Sequence, residues 1–288
     1  MSTPEIDPTQ AASLKLNRRL FVGISTAAAL GTPAVGLSAP EPGGQTHPPL
    51  VAENDPAISV ERVTLKRDTT IIGAYAARPV HSTKQTPTVV VIMHVWGVDT
   101  SIRDIVRRLA KAGFAAIAPD LYARFGAPSG DGTTDYTVFR PYAKRLDRAQ
   151  YDGDIVAAAH WCSEQFPSTK TAILGFCMGG RIALLASIDN AETFAAVCPF
   201  YGPLADVDPS KEQTPVCGSY GARDTGIPAD SVRAFAAALH VANDVKIYDN
   251  AGHAFMDDQR PSYVASAAAD AWTRTLAFLT KHVGMPST

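Results

Sequence analysis

A single cysteine set among glycines, Gly175-Phe176-Cys177-Met178-Gly179-Gly180, constrains this chain more than any other stretch. The apolar run Thr171-Ala172-Ile173-Leu174 precedes it and reads as a buried strand, while Ile182-Ala183-Leu184-Leu185 follows and reads as a helix. The cysteine therefore falls on a tight strand-to-helix turn, the place where a nucleophile is lifted clear of a sheet. Glycine is needed at the flanks because the turn is strained and a side chain there would strike the neighbouring strand or helix. A structural cysteine beside a helix-capping turn fits the same six residues, so the rest of the chain has to discriminate.

Around this unit the pattern alternates. Val60 to Lys66 and Thr70 to Ala76 read as an opening hairpin turning at Arg67-Asp68-Thr69, and Pro87 to Met93 is a β-branched run suited to a central parallel strand. A helix capped near Thr100 or Ser101 and closed by Gly113 comes next, then a strand over Phe114 to Ala118 and a helix over Asp152 to Gln165. After the elbow come strands at Phe194 to Phe200 and Pro215 to Tyr220, a helix at Ala229 to Leu239, a strand at Val245 to Tyr248 and a long helix from Ser262 to His282. Such alternation with short connections predicts one α/β domain over residues 57–284, a doubly wound and mostly parallel sheet with helices on both faces. Tyr122 to Arg140 breaks the rhythm: long, rich in Gly, Pro, Asp and Thr, and placed after a strand end, it suits either an active-site cover or a surface loop without a role.

Composition narrows the function. With 26 basic against 28 acidic residues and a formal net charge of -2, nothing favours nucleic acid or an anionic membrane as partner. Arg103, Arg107, Arg108 and Lys111 stand at helical spacing opposite Ile102, Ile105, Val106 and Leu109, which predicts the solvated face of an amphipathic helix. Four cysteines, Cys162, Cys177, Cys198 and Cys217, show no metal-ligand spacing, and neither a metal nor another cofactor is implied. Cys198 and Cys217 fall on neighbouring strands, where a disulfide would need suitable geometry.

The first 50 or so residues are expected to stay outside the core. Arg18-Arg19 precedes a mildly apolar, glycine-containing run that ends near Ser38-Ala39, the pattern of a twin-arginine export signal over residues 1–39. The run is too short and too weakly apolar to span about 30 Å of hydrocarbon, so no stable membrane span is expected once the signal is removed. Residues 40–56, rich in proline and glycine, read as a linker. Export by this route would place a monomeric protein in the periplasm or outside the cell.

A nucleophilic Cys177 needs a base and a group to orient it. The α/β-hydrolase chain order is nucleophile, acid, histidine. Of the three histidines downstream, His240 and His282 end helices, whereas His253 lies just past the last strand at the carboxyl edge of the sheet. Asp224, at the end of Tyr220-Gly221-Ala222-Arg223-Asp224, holds the matching position for the acid, with Asp206, Asp208, Asp257 and Asp258 as competitors.

The elbow, the strand-end Gly-Val-Asp with its Ile-Arg-Asp helix, Ala118-Pro119-Asp120-Leu121, Pro199-Phe200-Tyr201-Gly202, Gly221-Ala222-Arg223-Asp224 and Ala251-Gly252-His253-Ala254-Phe255 together resemble the dienelactone hydrolase family, from about Ser59 to Leu279. The resemblance implies an α/β-hydrolase fold and a Cys-Asp-His triad at Cys177, Asp224 and His253. It also implies an oxyanion hole at the backbone NH groups of Val95 and Met178, and hydrolysis of a small ester or lactone through an acyl-enzyme. Candidate substrate contacts are Trp96, Tyr201, Arg124, which resembles a substrate-binding arginine of the family, and Arg140. Two residues depart from the pattern. His94 stands where the family commonly has a glutamate that engages the resting thiol, and Asp257 where dienelactone enzymes have a carboxylate-binding arginine. These departures leave a non-catalytic binding or redox-sensing relative as the alternative.

Overall fold

The structure, a computed structural model, describes residues 46–67, 69–167 and 169–287. The expected export signal and the first part of the expected linker lie outside the described residues.

Eight strands form one sheet in the order β1-β2-β4-β3-β5-β6-β7-β8. The strands are β1 (Ile58–Arg67), β2 (Thr70–Pro79), β3 (Thr88–Ile92), β4 (Ala115–Pro119), β5 (Thr171–Phe176), β6 (Phe194–Phe200), β7 (Ser219–Gly221) and β8 (Lys246–Tyr248). β1 and β2 pair antiparallel, β2 runs antiparallel to β4, and every pairing from β4 to β8 is parallel. The helices are α1 (Thr100–Lys111), the single turn α2 (Arg140–Ala143), α3 (Arg148–Gln165), α4 (Met178–Asp189), α5 (Ala229–Ala238) and α6 (Ala265–Val283). This is the expected α/β-hydrolase fold.

All residues of β3, β4 and β5 are buried, as the β-branched, alanine and leucine runs demand of strands covered on both faces. β4 lies on one side of β3 and β5 on the other, so the winding reverses between β3 and β5. A crevice opens at the carboxyl ends of strands at such a point. The segment after β3 carries His94 and Val95, and Cys177 follows β5 directly.

Three local expectations change. Helix α1 is capped by Asp99, whose side chain accepts from the Ile102 NH, rather than by Thr100 or Ser101. Helix α3 begins at Arg148, with Asp147 as its cap, because the polar turn before Asp152 continues the helix. The arginines of α1 are not a solvated face. Arg107 is buried, donating to the Val51 carbonyl at 2.5 Å and the Tyr75 hydroxyl at 2.9 Å. Arg108 donates to Asp104 at 2.6 Å and pairs with Asp258, which leaves Lys111, 52% exposed, as the residue that fits the expectation.

The physical reason is the chain before β1. Residues expected to be linker are docked here: the Leu50 and Val51 NH groups donate to the buried Asp104 carboxylate at 3.1 and 2.9 Å, and the His47 NH donates to the Asp258 carbonyl. Charges covered in this way persist because each is paired and hydrogen-bonded. All four cysteines are free thiols, Cys198 and Cys217 included, and burial pushes the Cys162 thiol up to about 12. Among the described residues, no helix is long and apolar enough to cross a membrane.

Candidate active site

Cys177 occupies φ 54°, ψ -121°, between the last residue of β5 and the first of α4. Its NH donates to the Phe200 carbonyl of β6 at 3.0 Å and its carbonyl accepts from the Gly180 NH at 2.9 Å, so the turn is held from both sides. Close approach explains the glycines: a Cβ on Gly179 would lie 2.5 Å from the Ile92 carbonyl oxygen and nearer still to that of Met93. The amino end of α4 therefore presses directly on the end of β3, and its partial positive charge faces the elbow.

Three non-glycine residues among those described take a positive φ: Cys177, Tyr201 and Ala254. All three line one cavity of about 600 Å³. Residues held in such conformations cost roughly 1–3 kcal/mol each and cluster where geometry is imposed for function.

The three candidate catalytic side chains meet. His253 Nε2 stands 3.0 Å from Cys177 Sγ, and His253 Nδ1 stands 2.6 Å from Asp224 Oδ2. Asp224 is buried, and its other oxygen accepts from the Gly226 NH at 2.9 Å, which fixes the carboxylate plane. With an ionised Asp224 as acceptor, Nδ1 carries a proton and Nε2 faces sulfur. Burial works against the imidazolium, but the hydrogen bonds and charges of Asp224 and Cys177 outweigh it and raise His253 to about 10. Such an imidazole stabilises a thiolate beside it. Tyr201 packs against the His253 ring at 5.2 Å between centroids.

Val95 and Met178 also line the cavity, and neither backbone NH has a protein acceptor among the described residues. The loop carrying Val95 is braced at three points. The Tyr122 hydroxyl donates to the Val95 carbonyl at 3.1 Å, the Trp96 NH donates to His94 Nδ1 at 3.2 Å, and the Gly97 NH donates to the His94 carbonyl at 3.1 Å.

His94 is buried and faces carboxylates. Its Nε2 lies 3.3 Å from Asp99 and 3.8 Å from Asp257, contacts without hydrogen-bond alignment. Asp257 in turn binds Arg260 at 2.5 Å and accepts from the Ser101 hydroxyl at 3.0 Å, while Arg260 also binds Asp99 at 2.7 Å. Burial alone would raise the Asp99 carboxyl, yet His94 and Arg260 beside it hold it at about 2. The Arg260 guanidinium also lies over the Trp96 ring, 3.9 Å from its centroid. Sequence reading missed both Arg260 and Tyr122; the three-residue spacing from Asp257 to Arg260 is the one available signal for the former.

The other candidates divide. Trp96 and Tyr201 line the cavity. Arg124 is not among its lining residues and is engaged by the fully buried Asp154 through two hydrogen bonds of 2.5 and 2.8 Å. Arg140 is exposed and also away from the cavity. Arg181 does line it, but with its guanidinium paired to Asp206. The segment from Tyr122 to Arg140 acts as a cover: Gly130 packs on Trp96, Asp131 accepts from the Thr100 NH and Arg103, and Tyr136 reaches the cavity. Among the described residues no group of His, Cys, Asp and Glu side chains is arranged to hold a metal ion.

Comparison with known proteins places the chain in a family. The family model described as dienelactone hydrolase family matches residues 72–283. A protein of Yersinia pestis named "Putative carboxymethylenebutenolidase" is 40% identical over 226 residues, 73% of this chain and 84% of that protein. A protein of the same name from Salmonella typhimurium is 36% identical over 252 residues, 82% and 93% of the two chains. Among solved structures, a "Putative Dienelactone Hydrolase" from Klebsiella pneumoniae superposes with a TM-score of 0.72 at 32% identity, covering 78% of this chain and all of that one. A metagenomic dienelactone hydrolase-like promiscuous phosphotriesterase gives 0.66 at 26%, covering 79% and 100%. With the match running from β2 to the end of α6 and so taking in the elbow, the acid and the histidine together, the chain belongs to the dienelactone hydrolase family and is a hydrolase of carboxylic esters or lactones.

Proposed function

We propose that this enzyme works through Cys177 as nucleophile and a thioester acyl-enzyme, and that its preferred substrates are small neutral esters or lactones. The observation that carries the reading is the Cys177–His253–Asp224 chain of contacts at 3.0 and 2.6 Å. In the first half-reaction the thiolate attacks the carbonyl carbon, and the carbonyl π pair moves onto oxygen, facing the NH groups of Val95 and Met178. Collapse of this intermediate breaks the C–O bond to the leaving group, which takes the proton from His253 Nε2. In the second half, Nε2 removes a proton from water, hydroxide adds to the thioester, and collapse releases the carboxylic acid and restores the thiolate. A thiol at its ordinary pKa near 8.5 is only a few per cent ionised at neutral pH, so the imidazolium and the amino end of α4 supply what the free residue lacks.

Neutral substrates are favoured because the arginine that lines the cavity, the arginine beside its Asp257 and the candidate Arg124 outside it are already engaged. Arg181 pairs with Asp206, Arg260 with Asp99 and Asp257, and Arg124 with Asp154. An anionic group would enter beside Asp257, whose partner Arg260 is shared with Asp99, and among the described residues no unpaired arginine or lysine lines the cavity.

Cys177→Ala should abolish turnover of a neutral short-chain aryl ester while leaving the fold intact, and enzyme quenched during turnover should carry the acyl mass on the Cys177 peptide. Undiminished turnover by the alanine variant would sink the nucleophile assignment. A strong preference for an anionic dienelactone over the aryl ester would sink the charge argument alone. The Arg18-Arg19 pattern supports export, which fractionation of cells producing the full chain and an Arg18→Lys/Arg19→Lys variant would test.

A further inference from the structure

A second hollow adjoins the catalytic cavity. It lies between the segment after β6 and the amino half of α5, has a volume of about 460 Å³, and shares Pro203 and Gly226 with the cavity that holds Cys177. Leu204, Val207, Ile227, Ala234 and Phe235 give it an apolar surface, and no charged side chain lines it. Its one polar side chain, Ser231, already donates its hydroxyl proton to the Pro228 carbonyl at 2.6 Å. The mechanism above uses none of these residues. Yet the wall they share with the cavity follows directly on the catalytic acid, since Gly226 is the residue whose NH fixes Asp224.

We propose that this hollow is a second subsite, taking a straight apolar limb of the ester whose carbonyl is bound at Cys177. The inference rests on the ester-hydrolase reading of that site. Adjacency identifies the occupant: a chain leaving the carbonyl over Pro203 and Gly226, which line both hollows, meets a mainly apolar trough lined by no charged side chain, so a charged limb would lose hydration there without an ionic partner. Full burial of a methylene corresponds to about fourfold in affinity, so a trough open along one side should give roughly twofold per methylene.

The test measures kcat/KM on two series, p-nitrophenyl esters from acetate to octanoate and straight-chain alkyl acetates from ethyl to octyl, for the native enzyme and Ala234→Trp. Ala234 is exposed on α5, so the indole should fill the trough without disturbing the core. The native enzyme should gain about twofold per methylene in one series. Ala234→Trp should flatten that gain while leaving p-nitrophenyl acetate unchanged, and Leu204→Glu should repeat the loss. No gain in either series, or a gain that survives both substitutions, overturns the subsite. A readout without turnover separates it from the mechanism: 2-decanone should bind Cys177→Ala at least tenfold more tightly than 2-butanone, and the margin should vanish when Ala234→Trp is added. Equal binding of the two ketones overturns the subsite even if Cys177 proves to be the nucleophile, and chain-length-dependent binding upholds it even if Cys177 does not.

Discussion

A methyl group at position 179 would test whether the elbow and the loop after β3 form one oxyanion site. In Gly179→Ala the new Cβ would start 2.5 Å from the Ile92 carbonyl oxygen, inside the 3.0 Å that such contacts require. Both partners are backbone, so α4 and the end of β3 must separate by at least about 0.5 Å rather than rotate a side chain away. Overpacking of this kind costs about 1–3 kcal/mol, and the better helix propensity of alanine returns up to about 1, so the protein should fold with a modestly lower Tm. The effect on catalysis should be larger. Met178 rides on α4 and Val95 follows β3, so the separation widens the gap between the two NH groups. Displacement of about 1 Å costs on the order of 100-fold, and loss of one oxyanion donor 100- to 1,000-fold, which places the expected fall in kcat between 10- and 100-fold. KM should hardly move, since the lost contact forms fully only in the transition state. The assay is steady-state hydrolysis of a neutral aryl ester, with active sites counted by thiol titration. Gly73→Ala, where an added Cβ meets nothing within 4 Å, is the control. A kcat for Gly179→Ala within twofold of the native value would refute the placement of the hole.

Three further outcomes are expected. Asp224 helps to raise His253 to about 10, so the native kcat/KM profile should fall only as pH rises through that value and the imidazolium is lost; Asp224→Asn should shift this limb downward toward the ordinary histidine range, seen in a pH–rate profile. Asp99 is held at about 2 against an ordinary 3.8, so its ionised form stabilises the fold above pH 4, and about 2 kcal/mol should be lost as pH falls from 4 to 2. Asp99→Asn keeps an acceptor for the α1 cap, and its Tm should depend less steeply on pH in that window. Arg124→Met should leave kcat/KM for neutral and anionic esters in the same ratio but lower stability by about 2–3 kcal/mol in denaturant titration, because it leaves the buried Asp154 carboxylate with only the Arg67 guanidinium, 3.8 Å away.

Features with a local signature were legible in the sequence. The β-branched run of β3, the glycines at 175, 179 and 180 and the nucleophile–acid–histidine order each follow from sterics or periodicity within a few residues. The sheet and the chain order of Cys177, Asp224 and His253 therefore follow from the sequence. What escaped depends on partners far away in sequence. Helical spacing alone makes Arg107 and Arg108 look like a solvated face; only Asp258, 150 residues from Arg108, and the docked residues 47–51 make them interior. Asp257 alone reads as a lone negative wall against anions; Arg260 beside it, with Asp99 as its second partner across 161 residues, makes it one member of a paired cluster whose arginine is already taken. Arg124 looks free to meet a substrate until Asp154, one helix later, is found on both its nitrogens. Periodicity reports which way a side chain points, not which distant charge has already claimed it.

The docked stretch at residues 47–51 fixes where the foldable unit begins. A clone started at residue 57, just ahead of β1, would remove two NH donors from Asp104, the acceptor of Arg107 Nε, and the His47 NH that meets the Asp258 carbonyl. Asp258 lies five residues beyond His253 on the same loop. Shortening the amino terminus past residue 46 would therefore loosen the segment that presents the His253 imidazole, although none of the deleted residues lines the cavity. Expression boundaries, tags and any proteolytic trimming belong upstream of that point.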